Sequence, residues 1–172
     1  MRTIVIDTNC MVQMYKGGLL SGLLSLPYRF VIPQPLFENE FLSIPAKDKA
    51  ELVQCGLEVR ILAFDQIERS EFLQSRNRNL SFNDCSAFVI ASDIEDSILL
   101  TGDKPLRRHA TSHAVEVHGV LWIIDEIHAA NILSPRTLHR ALIVFDEDEF
   151  IWLPKDDLAI RLRKFRKLSQ TC

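Results

Sequence analysis

Apolar and polar positions along the chain fall into two kinds of segment. Short, uniformly apolar runs such as Ile4-Val5-Ile6 and Ile98-Leu99-Leu100 read as parallel strands covered on both faces, and longer stretches with apolar residues three and four apart read as helices. Further strands are predicted at Tyr28 to Ile32, stopped by Pro33, at Leu57 to Ile61 and at Ala114 to Val117, and the run at Ile98 is expected to extend over Ser97 to Thr101. Helices are expected between them: one capped by Thr8 or Asn9 and running to about Leu24, a short one from Leu36 to Leu42, and one opened by Pro45 and closed by Gly56. Asp65 with Glu68 gives a capping-box-like start for a helix to about Arg76. Phe82 to about Glu95 carries Cys85, Phe88, Val89 and Ser92 at core spacing, and Pro105 to about Ala110 completes the set. This alternation predicts an α/β fold with a central parallel sheet of four or five strands flanked by helices.

From Val120 onward the pattern is helical. Leu121 to about Asn131 forms one helix, Ser134-Pro135 opens another over Thr137 to Phe145, and Asp146-Glu147-Asp148-Glu149 is a charged break. A last helix follows Pro154. A length of 172 residues with 47% hydrophobic and 25% charged positions suits one domain with a real core, so the tail is expected to pack on that domain. No apolar run approaches the roughly 20 residues of a membrane span, and the N-terminus enters a strand rather than a signal region, so no membrane partner and a cytoplasmic location are expected. Cys10, Cys55, Cys85 and Cys172 lack paired spacing and read as reduced thiols. The net charge is −3, yet Arg161 to Lys167 holds five of the twenty basic residues, which fits an amphipathic packing helix or an anionic partner.

Four acids stand where apolar segments end or turn: Asp7, Glu40, Asp84 and Asp103. Asp7 and Asp103 follow apolar strands, and in open α/β sheets the carboxyl edge is where ligands bind. Asp84 shares a helix face with Ala87, Phe88 and Ala91, where an uncompensated carboxylate is costly. Glu40 lies on the inward edge of a short helix with Leu36 and Phe37, and is preferred to Glu38 on that ground. Converging carboxylates are tolerated when a hard cation offsets their repulsion, so the set suggests a divalent-metal site. Each acid also has a plain structural reading. Asp7 and Asp103 are good helix N-caps, Asp84 can be satisfied by a backbone amide or Asn83, and Glu40 can be a surface residue. Lys104, Arg107 and Arg108 follow the last acid and suit either phosphate contact or a solvated helix face. The five histidines have no metal-like spacing and are expected at the surface or half-buried.

Taken in order, Ile4-Val5-Ile6-Asp7-Thr8-Asn9, Val31-Ile32-Pro33 leading to Glu40, Asn83-Asp84 with Ala91, and Leu99-Leu100-Thr101-Gly102-Asp103 with Leu106 resemble the motifs of PIN-domain nucleases. The resemblance covers about residues 1 to 130, through Gly119-Val120-Leu121-Trp122, and implies a three-layer fold with residues 131 to 172 as a helical extension of the same domain. It further implies that Asp7, Glu40, Asp84 and Asp103 hold Mg2+ or Mn2+ for hydrolysis of RNA, with Thr8, Asn9 and Thr101 orienting ligands or water. Compact members resemble the toxin half of toxin–antitoxin pairs, so the partners implied are RNA, a small cognate antitoxin protein and a second copy in a homodimer. That dimer is expected to use terminal apolar residues such as Trp152, Leu158, Leu162 and Phe165. Two rivals stand beside this reading. An aspartyl-phosphate enzyme would want a second acid two residues after Asp7, where the chain has Asn9, and a non-catalytic PIN-like module would keep the fold without the chemistry.

Overall fold

The computed structural model describes residues 1–39 and 44–170. Strands β1 (Thr3–Ile6), β2 (Arg29–Pro33), β3 (Glu58–Arg60), β4 (Ile98–Leu100) and β5 (Glu116–His118) form a five-stranded sheet in the order β3-β2-β1-β4-β5. Every pairing is parallel. Ile4, Val5, Ile6, Val31, Ile32 and the whole of β4 are fully buried, which is why the central strands read as unbroken apolar runs. The edge strands carry Glu58, Arg60, Glu116 and His118 instead, in keeping with the usual protection of sheet edges by charge.

The described helices are α1 (Thr8–Lys16), α2 (Leu20–Leu24), α3 (Gln34–Asn39), α4 (Ala46–Gln54), α5 (Phe64–Arg76), α6 (Phe82–Asp93), α7 (Lys104–Ser112), α8 (Val120–Ala129), α9 (Pro135–Glu147) and α10 (Lys155–Gln170). Helix α6 is the most enclosed of its neighbours, buried at every position from Cys85 to Ala91, and it packs against β1, β2 and β4. A helix apolar on nearly all sides belongs inside, and this one lies across the middle of the sheet.

Several expected boundaries move, each for a local reason. The first helix is two helices, because the chain breaks at Gly17-Gly18, where Gly18 takes φ +66. Phe145 fills the break: a Cβ on Gly17 would stand 2.9 Å from Phe145 Cε1. The N-cap position of α1 is Asp7 rather than Thr8 or Asn9. Helix α5 starts at Phe64, and Gln66 Oε1 accepts from the Ala63 N–H at 3.0 Å, so the expected Asp65–Glu68 box is not the one that forms. Ser92 is exposed while Cys85, Phe88 and Val89 are buried. Strand β5 starts two residues beyond the expected Ala114, because Ala114 itself adopts φ +59 in the turn that leaves α7.

The C-terminal helices close onto the domain. Helix α10 packs along α9, which buries Leu138, Ala141, Leu142 and Phe145, and α9 in turn touches α1 and α8. Leu158 and Phe165 are 5% and 0% exposed and Leu162 is half-buried, so the expectation that these residues stand open for a dimer is corrected. Their i, i+4, i+7 spacing is the inner stripe of α10. Trp152, before the helix, does stand out, at 87% exposed.

Candidate metal centre

The strand order reverses direction at β1, which has β2 on one side and β4 on the other. Ligands of open α/β sheets settle at such a switch point, outside the carboxyl ends of the strands. Asp7 directly follows β1, and Asp103 lies just beyond β4, so the two acids occupy adjacent strand ends of this crevice. Helix α6 feeds β4 and therefore runs against the strands, which brings its N-terminus, with Asp84, to the same edge. Three helix N-termini, those of α1, α6 and α7, thus face one edge, and their positive dipole ends favour negative charge there.

The three acids differ in how they are held. Asp103 is the N-cap of α7, its Oδ1 accepting from the Leu106 N–H at 2.7 Å. Asp84 closes a capping box with Ser81: its Oδ2 accepts from the Ser81 N–H at 2.7 Å and from the Ser81 hydroxyl at 2.8 Å, and Ser81 Oγ accepts from the Asp84 N–H. That box answers the question of its inward face, since the carboxylate is satisfied locally by Ser81. Asp7 is different. It is 4% exposed, stands at the N-cap position of α1, and makes no side-chain cap bond. Its Oδ2 instead accepts from the fully buried Thr101 hydroxyl at 2.7 Å, while Thr101 Oγ1 accepts from the Asp103 N–H at 3.1 Å. One hydroxyl therefore ties the Asp7 carboxylate to the backbone of Asp103.

Burial, and after it the Asp7 carboxylate, pushes the Cys10 thiol above its ordinary value, and burial with Asp84 pushes Cys85 up to about 11. Both thiols are inert hydrophobes beside the acids.

Among the other expected site residues, Thr8 is buried and its Oγ1 has no hydrogen-bond partner among the described residues, whereas Asn9 is exposed. Glu40 lies outside the described residues. Glu38 is exposed and accepts from Gln34 Nε2 at 2.7 Å. Arg107 is half-buried and donates from Nη1 to the Thr101 carbonyl at 2.9 Å, so it braces the β4–α7 turn. Lys104 and Arg108 are exposed, and Arg108 lines a separate hollow with Asn77 and Asn79. The histidines are exposed or half-buried, as expected: His109 sits edge-on to Phe88 at 4.6 Å, and burial lowers its pKa.

The donor set suits a hard cation. Asp84 and Asp103 form no ion pair among the described residues, and Asp84 Oδ1 and Asp103 Oδ2 accept no hydrogen bond there, which leaves carboxylate oxygens of the kind Mg2+ or Mn2+ takes. Among the described residues no three His, Cys, Asp or Glu side chains gather closely enough to hold a metal by themselves. Sequence reasoning overlooked Ser81, whose signal was the Ser-x-x-Asp spacing, and Gln13, an amide on the core face of α1 next to Cys10 and Met14.

A family profile described as PIN domain matches residues 3–167. The chain belongs to the PIN-domain family. The match takes in α9 and most of α10, so the helical tail falls within the PIN region and not only the first 130 residues. No curated protein matches the sequence. PIN domains are in general nuclease-like modules, and the parallel sheet with its helical layers fits that assignment. No described helix is long and apolar enough to cross a membrane.

Proposed function

We propose that this PIN domain is a Mg2+- or Mn2+-dependent ribonuclease that hydrolyses RNA phosphodiester bonds at the β1–β4 edge. The observation that carries the reading is Asp7: a buried carboxylate that caps nothing, held in place by Thr101 at the switch point of the sheet. Burying a carboxylate is costly, and such costly charges gather at functional sites. Asp7, Asp84 and Asp103 would hold the cation, with Glu40 as the fourth ligand. When bound, the cation lowers the pKa of water and stabilises charge building on the phosphate. The chain's own part is to keep the Asp7 carboxylate in a fixed orientation through Thr101 and to present the N-terminus of α7 to an anionic substrate.

The caps made by Asp84 and Asp103 favour a second reading, a PIN-like module that binds without cutting, and one experiment separates the two. Purified chain is incubated with single-stranded and structured RNA in Mg2+, Mn2+ or chelator. Cleavage that needs metal and is abolished by Asp7→Asn, with an unchanged thermal melt, supports the nuclease; RNA binding without cleavage supports the module. The resemblance to toxin–antitoxin pairs extends the proposal to a small cognate inhibitor and to a cytoplasmic homodimer. With Leu158 and Phe165 buried, the dimer surface is better sought at the exposed Phe64 and Phe72 of α5. Light scattering of Phe64→Ser/Phe72→Ser is expected to give a monomer where the wild type gives a dimer.

A further inference from the structure

Beside the acids lies a cavity of about 550 Å³, inside the ~300–1,000 Å³ range of sites that enclose small molecules. Its lining includes Gly102 and Lys104, the two neighbours of Asp103, so it opens at the flank of the candidate metal centre. The opposite wall comes from the segment around Trp152 and the first turns of α10, part of the tail that carries none of the acids. We propose that this cavity receives an unpaired nucleobase of the RNA strand next to the scissile phosphate, and that Trp152 and Lys104 set the preference for single-stranded substrate. The inference rests on the ribonuclease reading for its substrate class and adds a subsite to it.

Three observations point to a nucleotide. The first is aromatic. The only two tryptophans of the chain, Trp122 and Trp152, both line the cavity. Trp122 is fixed by His118 stacked on it at 4.2 Å and by Tyr28 at 6.0 Å, so it offers a rigid wall, whereas Trp152 is 87% exposed and presents an open indole. Nucleobases stack on such faces whatever their sequence.

The second is charge. Lys104, Arg107 and Arg161 line the cavity against a single carboxylate, Asp157, on a chain whose net charge is −3. Arg161 is committed to Asp125 at 2.6 Å and Arg107 to the Thr101 carbonyl, but Lys104 is exposed and enters no ion pair among the described residues. Local cations on an otherwise acidic chain suit a phosphate backbone. The third is an unmet hydrogen bond. Gln13 lines the same cavity, is 9% exposed, and its Oε1 has no donor among the described residues. An amide in that position suits the donor edge of a base, and buried amides are otherwise paired.

The test uses the full chain in chelator, so that binding is read without cleavage. A short fluorescein-labelled oligoadenylate is titrated and followed by anisotropy, with the same strand annealed to its complement as the duplex arm and polyglutamate as the acidic-protein arm. The single strand is expected to quench the intrinsic tryptophan fluorescence of the wild type, and Trp152→Ala to weaken its binding about tenfold. Lys104→Ala is expected to weaken binding and flatten its salt dependence. Both side chains are exposed, so both variants keep the fold. Wild-type affinity in both variants, an unchanged fluorescence at saturating oligoadenylate, equal affinity for the duplex, or displacement by polyglutamate at equal charge would each overturn the subsite. Those results leave metal-dependent cleavage standing if it is observed. Conversely, stacking-dependent binding together with no cleavage in the Mg2+ and Mn2+ arms of the cleavage assay keeps the subsite and removes the nuclease.

Discussion

At the carboxyl edge of β1 and β4 the acids turn inward, held by hydroxyls and backbone N–H groups. Along α10 the cations turn outward and meet carboxylates across a half-exposed seam, as Arg161 does with Asp125 at 2.6 Å. Both regions are charged stretches beside apolar runs in the sequence. They differ in what the charge costs. Arg161 and Asp125 keep 22% and 31% of their side chains in water, so their pairing is a surface contact of about 0–1 kcal/mol. Asp7 has 4% exposure and a hydrogen bond to a residue with none, a placement that is costly for a carboxylate. The inner stripe of the tail serves packing, whereas the edge is where we place binding.

The sharpest way to break this contrast is to attack the packing of the tail. Phe165 is fully buried against the domain, with the His128 ring edge-on at 5.0 Å. Phe165→Ala is expected to cost about 3–5 kcal/mol in denaturant unfolding, the scale of a core phenylalanine. A loss below about 1 kcal/mol would mean that α10 is an appendage, and the division between a packing region and a binding region would fall.

Thr101→Val probes the other side. The substitution keeps the shape of the side chain and removes the hydroxyl that donates to Asp7 and accepts from the Asp103 N–H. Supporting hydrogen bonds of this kind are worth roughly 10–100-fold in metal affinity, so Mn2+ binding by calorimetry is expected to weaken by that factor. Because the buried Asp7 carboxylate and the half-buried Asp103 N–H each lose a partner, stability is also expected to drop by about 1–3 kcal/mol. A variant that binds Mn2+ as the wild type does would show that the hydroxyl only fills space.

How far the sequence foretells this arrangement depends on the range of the interaction. Uniform burial of Ile4 to Ile6 and of Ile98 to Leu100 writes itself directly into composition, so the parallel sheet was legible, and so was the location of Asp7 and Asp103 at its carboxyl edge. The alternating Glu116-Val117-His118 and Glu58-Val59-Arg60 mark edge strands for the same reason. What stayed hidden was set by partners distant in sequence. The helix break at Gly17-Gly18 depends on Phe145, and the bond that orients Asp7 comes from Thr101, ninety-four positions away. Trp152 and Trp122 meet at one cavity only because α10 folds back on α9. Periodicity also could not tell that Leu158 and Phe165 find cover inside their own chain, since an amphipathic stripe looks alike whether it faces its own domain or a second copy.

Asp103 separates the two duties directly. Asn is as good an N-cap as Asp, so Asp103→Asn is expected to melt like the wild type, while Asp103→Ala loses about 1 kcal/mol through the missing bond to the Leu106 N–H. Activity should vanish in both. If cleavage instead tracks stability, surviving in Asn and failing in Ala, then Asp103 is a cap and nothing more.

The smallest effect is expected at Glu116, on the edge strand β5. Its hydrogen bond from Arg2 at 2.6 Å, with help from His118, holds its pKa below the ordinary glutamate value and fastens the last strand to the residue preceding β1. A carboxylate with a depressed folded-state pKa contributes stability that is present above its unfolded value and disappears as pH falls through the folded one. Both side chains are more than a third exposed, at 34% and 44%, so solvent screening keeps the contribution of the pair below about 1 kcal/mol. Glu116→Gln should therefore unfold slightly earlier than the wild type at neutral pH. The difference should close as the pH drops below the ordinary glutamate value and be gone once Glu116 itself is protonated. Urea unfolding of both proteins across that range checks the sign: a gap that widens in acid would mean that Glu116 is held by something other than its charge, and that even the outer strand shares the inward logic of the β1–β4 edge.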